Sequence, residues 1–338
     1  MGAHGSDHGR FKKALAAGHL TTALIIAQDL PHVALPGNPG GPAHPAEPPG
    51  RRGLSRRDAV CKAATVSERI GIAATDGVEL AGERWPGERK QIVLLHAGVA
   101  DRRSWARVAD ELGRDGFDVL AYDRRGFGET PATGASDHLA DLRRVLAETA
   151  RAPVLLVGNS QGGRIALDLA STEPDRIAGL VLIAPAISGR PDPEAEELDE
   201  DTLRIDGAIE AAIGAGDIET ANRLEAHLWL DGPAGPEGRV EGAPRELALA
   251  MNAIALAAEW PEDARLPEPD TWSRLEEIHV PATVVWGELD LPFLIAGCRL
   301  LAERLPNAGQ PIVLPGVAHL PGLEAPGRVA AVIRDAAG

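Results

Sequence analysis

Short apolar runs alternate with longer segments of helical spacing along most of the chain. Residues 91–97 (QIVLLHA), 117–123 (FDVLAYD), 153–158 (PVLLVG) and 177–185 (IAGLVLIAP) are almost continuously apolar. That is the pattern of strands covered on both faces. Residues 77–85 (GVELAGERW) alternate apolar with polar, as a strand with one wetter face does. Between these runs lie helical segments. Residues 104–116 end on a glycine stop. Residues 136–150 open with Ser136 as the expected cap. Residues 161–174 follow the third buried run directly. Strand and helix alternating through short loops predict an α/β fold: a mostly parallel sheet with helices on both faces.

The alternation breaks between about Ser188 and Ile278, where acidic and helical segments replace apolar strands. It resumes with a strand at 281–287, a helix at 294–306, a strand at 310–316 and a closing helix at 325–337. Residues 65–187 and 279–338 are therefore read as one core, and 188–278 as a helical cap or lid inserted into it. The acidic run at the start of the insertion is read as a solvated helix face. Residues 1–64 form an N-terminal extension. Within it, the Pro/Gly-rich stretch 36–53 cannot bury enough apolar surface to offset its ordering entropy, so it reads as a linker.

Composition narrows the function. The net charge of −16 argues against a nucleic-acid partner. The two cysteines, Cys61 and Cys298, form neither a disulfide framework nor a zinc signature, so a reducing, cytoplasmic setting is expected. No apolar stretch reaches bilayer-spanning length, so no membrane span is expected. The basic start followed by ALAAGHLTTALIIA is read as an amphipathic helix rather than a secretory signal, because His19 interrupts the apolar run and no clean cleavage site follows.

One short stretch carries the chemistry. Gly158-Asn159-Ser160-Gln161-Gly162 is G-x-S-x-G, set between a predicted strand and a predicted helix. A strand-to-helix turn that sharp lifts the serine hydroxyl clear of the sheet, and the glycines remove side chains that would collide. The helix then directs its first N–H groups at the same point, where a developing anion would be stabilised. A plainer reading is a glycine-rich turn whose serine only caps the helix.

The order of further segments favours the first reading. LLHAGVADRRSW (94–105), YDRRGFGET (122–130), GNSQGG (158–163), VVWGELDLP (284–292) and PGVAHLPGLEAPGRV (315–329) follow one another along the chain. Together they resemble the α/β-hydrolase fold over about Ser67 to Ala337. Two departures stand out. Thr130 occupies the last position of the D-x-R-G-x-G-x-S block, and Ala97 follows His96 where many members have glycine.

The resemblance implies a Ser-acid-His triad in the order Ser160, Asp290, His319, with Ser160 as nucleophile and His319 as base. A serine hydroxyl needs such a base, and imidazole titrates in the right range to take and return its proton. The carboxylate fixes the imidazole tautomer. Glu288, and more distantly Asp192, remain alternatives to Asp290. The backbone N–H of Gln161, directly after the nucleophile, is one expected oxyanion donor. The second lies in the 97–99 loop, with Gly98 favoured over Val99 and Ala97. Asp123, Arg125, Gly126 and Gly128 are read as a structural buttress, and Trp229, Trp260 and Trp272 as possible pocket walls.

The expected activity is cofactor-independent, metal-free hydrolysis of a small-molecule ester, lactone or related acyl compound through an acyl-enzyme. Acyl transfer, perhydrolysis or carbon–carbon bond hydrolysis would use the same triad. A non-catalytic ligand receptor on the same scaffold is the third reading. The oligomeric state is not legible from the chain.

Overall fold

Eight strands among the described residues make one twisted sheet, in the order β1-β2-β4-β3-β5-β6-β7-β8. The computed structural model describes residues 66–74, 76–133, 137–191, 198–259 and 269–338. The strands are β1 (Glu68–Ala73), β2 (Glu79–Trp85), β3 (Arg89–Leu95), β4 (Phe117–Tyr122), β5 (Val154–Asn159), β6 (Ile177–Ile183), β7 (Ala282–Gly287) and β8 (Ile312–Leu314). β2 runs antiparallel to β1 and to β4, and all other neighbours are parallel. β4 and β5 are buried along their whole length, as their unbroken apolar runs require. β1 has no counterpart among the expected strands: only Ile72 in it is buried, so its apolar signal is weak.

The helices are α1 (Ala106–Arg114), α2 (His138–Thr149), α3 (Gln161–Thr172), α4 (Glu200–Ala215), α5 (Ile218–Ala226), α6 (Ala243–Ala257), α7 (Pro292–Arg304), a single turn α8 (Pro321–Glu324) and α9 (Pro326–Ala337). Asp137 caps α2, its carboxylate accepting from the N–H of Ala140 at 2.8 Å. This corrects the expected Ser136 cap: the carboxylate one residue later satisfies the orphan helix donor. None of the described helices is long and apolar enough to cross a membrane.

Strand alternation sorts the core into two layers. Val93, Leu95 and Leu156 face one side with Val145 of α2, Leu169 of α3 and Leu301 of α7. Ile92, Leu94 and Val157 face the other with Leu112 of α1 and Ile333 of α9. A third apolar cluster lies beyond the sheet. Ile205 and Ile209 of α4, the turn residues Leu228 to Leu230 and Met251 of α6 meet Val99, Leu291 and Leu320. Those last three residues sit in loops after β3, β7 and β8. The helical segments thus pack over the carboxyl edge of the sheet, where open α/β folds build their sites. The extension 1–64 with its linker lies outside the described residues.

Candidate active site

Ser160 occupies the corner between β5 and α3 with φ 53° and ψ −117°. A left-handed φ at a non-glycine residue costs on the order of 1–3 kcal/mol, so the surroundings must hold it. They do so from both sides. The N–H of Ser160 donates to the carbonyl of Ile183 at 2.9 Å, and its own carbonyl accepts from the N–H of Arg164 at 3.1 Å and of Ala186 at 3.2 Å. The glycines are there for space. A Cβ on Gly158 would lie 2.4 Å from the backbone of Gly162, one on Gly162 would lie 2.2 Å from the carbonyl oxygen of Leu95, and one on Gly163 would lie 2.6 Å from Pro185. Any side chain at these points would push α3 off the sheet.

His319 follows β8 and is fully buried. Its Nδ1 lies 2.9 Å from Oδ2 and 3.1 Å from Oδ1 of Asp290, which follows β7. A carboxylate can only accept, so Nδ1 carries the proton in this contact and the lone pair of the neutral ring sits on Nε2. Asp290 is held in turn by the N–H of Leu291 at 2.8 Å. The two loops meet closely: a Cβ on Gly287 would lie 2.2 Å from the carbonyl oxygen of Ala318. The Asn159 side chain joins this assembly to the nucleophile turn, donating to the carbonyls of Ile183 and His319 at 3.1 Å each. Among the described residues the Ser160 hydroxyl makes no hydrogen bond at rest. Such contacts commonly tighten only with substrate bound.

Glu288 goes elsewhere: its carboxylate accepts from the N–H of Gly316 at 2.8 Å and shapes the loop ahead of His319. Asp192 lies outside the described residues.

Trp229 forms the wall over the imidazole. It lies in the helical turn His227–Asp231 that follows α5. Its carbonyl accepts from the N–H of His319 at 3.2 Å, and the two rings are 4.8 Å apart at 47°. Gly232 follows with φ 86°, where a Cβ would lie 2.3 Å from the carbonyl oxygen of Leu289. Arg239 ties the same turn to the histidine loop, donating to the carbonyls of Leu230 and Asp231 at 2.7 Å and of Gly316 at 3.1 Å. Trp272, by contrast, stacks with the guanidinium of Arg304 at 4.4 Å, away from these residues. Trp260 lies outside the described residues.

On the other side of the turn, Gly98 is buried in the loop after β3. His96 at the start of that loop bonds the carbonyl of Ala97 through Nδ1 at 2.8 Å and accepts from the N–H of Arg124 through Nε2 at 3.1 Å. Burial and then the positive charge of Arg124 hold the His96 pKa well below its ordinary value, so the ring is neutral. The Asp123 block braces this region. Asp123 pairs with the Arg102 guanidinium and accepts from the N–H groups of Arg102 and Glu129 at 2.9 Å. Burial, with Asp101 close by, pushes its carboxyl up to about 7. Thr130 supplies a hydroxyl where the block has serine: it donates to the carbonyl of Asp123 at 2.9 Å and accepts from the N–H of Ala81 at 3.0 Å.

Sequence reasoning missed Asn159 and Arg124 as parts of this assembly and left the site of Trp229 open. Asn159 lies inside the motif, which was a usable signal. Nothing along the chain marks Arg124 apart from Arg125.

Comparison with known proteins agrees with this architecture. The family described as alpha/beta hydrolase fold matches residues 90–326. A Bacillus subtilis relative named putative 2-succinyl-6-hydroxy-2,4-cyclohexadiene-1-carboxylate synthase is 28% identical over 76% of this chain and 94% of its own. A thermophilic esterase from Thermogutta terrifontis superposes with a TM-score of 0.61 at 27% identity, over 79% of this chain and 97% of its own. Est816, described as an N-acyl homoserine lactone degrading enzyme, does so with a TM-score of 0.60 at 26% identity, over 79% of this chain and 99% of its own.

Proposed function

The chain belongs to the alpha/beta hydrolase family and is a hydrolase, and we propose that it cleaves an ester, lactone or related acyl compound through an acyl-enzyme on Ser160. The observation that carries this reading is the contact of His319 Nδ1 with Asp290, tied through Asn159 to the turn that bears Ser160.

The steps follow from that arrangement. His319 Nε2 takes the hydroxyl proton as Ser160 Oγ attacks the acyl carbon. The carbonyl oxygen becomes an oxyanion, received by the backbone N–H groups of Gln161 and Gly98. The protonated ring, stabilised by Asp290, returns the proton to the leaving oxygen. Water attacks the acyl-enzyme by the same route and releases the acid. Base, nucleophile and anion site are all supplied by the chain, so the chemistry calls for no cofactor. The helical segments over the carboxyl edge act as a cap that shapes the acyl pocket, with Trp229 as its wall beside the base. The sparse cysteines suit a reducing, cytoplasmic setting, and the acidic charge suits a small-molecule rather than a nucleic-acid partner.

A panel of p-nitrophenyl esters and simple lactones, assayed with the parent and Ser160→Ala, tests this. The parent is expected to turn over one or more of them and to be labelled at Ser160 by a fluorophosphonate. The alanine variant should lose about a million-fold in kcat. Tight binding of a ligand released unchanged, without labelling, would instead mark a receptor. Because the Bacillus relative is named a synthase, products should also be analysed with competing acceptors, which separates hydrolysis from acyl transfer.

A further inference from the structure

Arg124 is almost fully buried, yet it reaches both segments expected to form the anion site. One arm of its guanidinium donates to Oε1 of Gln161 at 2.8 Å, and the other donates to the carbonyl of Ala97 at 3.1 Å. Its backbone N–H holds His96 at 3.1 Å, and its guanidinium lies 4.4 Å from the centre of the Phe127 ring. The carbonyl of Ala97 is also bonded by His96 Nδ1 and by the N–H of Ala100 at 3.3 Å. Two segments from different parts of the chain thus meet on one rigid fork: the loop after β3, and the first residue of α3.

We propose that Arg124 is a positioning residue of the oxyanion site, holding the Gly98 loop and Gln161 at the separation that lets their backbone N–H groups converge on one oxygen. This rests on the acyl-transfer reading above. The physical reason is geometric. A backbone N–H contributes to catalysis only where it already points at the oxygen that gains charge, because reorientation during the reaction would cancel the gain. The close approach of Gly162 to the backbone of Leu95 and His96 sets the start of α3 against the end of β3, and it stops short of the Ala97 carbonyl. A planar guanidinium ties that carbonyl to the Gln161 side chain, because its donors sit at set angles and cannot rotate independently. Its positive charge, fixed close to the site, further favours the anion over the neutral carbonyl.

The test uses Arg124→Met, Arg124→Lys and Gln161→Met. Activity on p-nitrophenyl butyrate is counted per serine titrated with fluorophosphonate, so that unfolded protein does not enter the result. Arg124→Met is expected to lose about 10- to 100-fold in kcat with KM moved less than about threefold, short of the roughly 100- to 1,000-fold for deleting an oxyanion donor. Inhibition by phenylboronic acid, which forms a tetrahedral anion on the serine, should weaken by a similar factor. A lysine cannot span both acceptors, so Arg124→Lys should stay impaired by about tenfold or more. Gln161→Met, which keeps the backbone N–H, should show part of the loss, and the double variant less than the product of the two singles. Hydrogen exchange, which needs no turnover, should show faster exchange at residues 96–99 and 161 in Arg124→Met. Unchanged kcat and boronate affinity, full recovery with lysine, or unaltered exchange at both segments would each overturn the proposal. Failure of the parent itself to be labelled or to turn over would count against the acyl-enzyme reading, and exchange would still decide the role of Arg124.

Discussion

The side-chain amide of Asn159 donates to the backbone carbonyl of His319 across 160 residues of sequence, at 3.1 Å. The residue next to the proposed nucleophile therefore holds the main chain of the proposed base. Position, not only chemistry, is supplied by a neighbour in the same motif.

Replacing Asn159 by leucine should loosen this link. The buried His319 carbonyl would lose a donor, at a cost of about 1–3 kcal/mol in denaturant unfolding. The imidazole would then wander relative to Ser160, and kcat on aryl esters should fall by about 10- to 100-fold.

Asp290 accepts from Nδ1 of His319. An asparagine there presents an amide donor in place of one acceptor and favours the wrong imidazole tautomer. Asp290→Asn is expected to fold and to lose about ten-thousand-fold in kcat. Glu288→Gln should leave kcat within about threefold, since its carboxylate bonds the N–H of Gly316 rather than the imidazole.

Gly162 and Gly207 make opposite predictions from the same substitution. A Cβ at Gly162 would lie 2.2 Å from the backbone oxygen of Leu95, so Gly162→Ala should destabilise by about 3 kcal/mol or more, or prevent folding. Gly207 lies within α4 with nothing near its missing Cβ. Gly207→Ala should therefore raise stability by about 0.5–1 kcal/mol in thermal melts, because alanine loses less backbone entropy in a helix.

Three carboxyl groups share the interior of the helical segments. Burial, then the charges of Glu210 and Glu225, pushes Asp206 up to about 8, and burial takes Glu210 and Glu225 to about 7. The facing groups are Asn252 on α6, which donates to Glu225, and Asn222 on α5, which accepts from Asn252. In the unfolded chain these acids titrate near about 4, so between that pH and their folded values the native state holds more protons. Their contribution to stability is complete below about pH 4 and is lost as pH rises through about 7 to 8. Asp206→Asn should flatten that slope. Its melting temperature should match the parent's near pH 4 and exceed it by a growing margin up to about pH 8, with a gain on the order of 5 kcal/mol.

Outside the helical insertion, the order of the strands from Glu79 onward and of the long helices between them was legible because each apolar run is local and long enough to carry its own period. β1 was not legible, because a half-exposed edge strand has little apolar signal. The elbow was legible for a different reason: its glycines stand where a side chain would collide, with the backbone at Gly158 and Gly162 and with the Pro185 ring at Gly163. The cap of α2 was read one residue early, because Ser136 and Asp137 are both good caps and helix ends shift easily by one residue.

Sequence alone determined the α/β alternation, the strained turn at Ser160 and the candidate acids and base, since these depend on residue type and short-range spacing. Tertiary structure decided what each side chain meets. Glu288 and Asp290 stand two residues apart after the same strand, and only the packing of their loop against the one before His319 sends one to the imidazole and the other to the N–H of Gly316. Arg124 and Arg125 are adjacent, yet one reaches Gln161 while the other pairs with Asp76 and Asp141. Consecutive side chains leave a turn in different directions. What lies in each direction belongs to distant parts of the chain, so no local pattern encodes it.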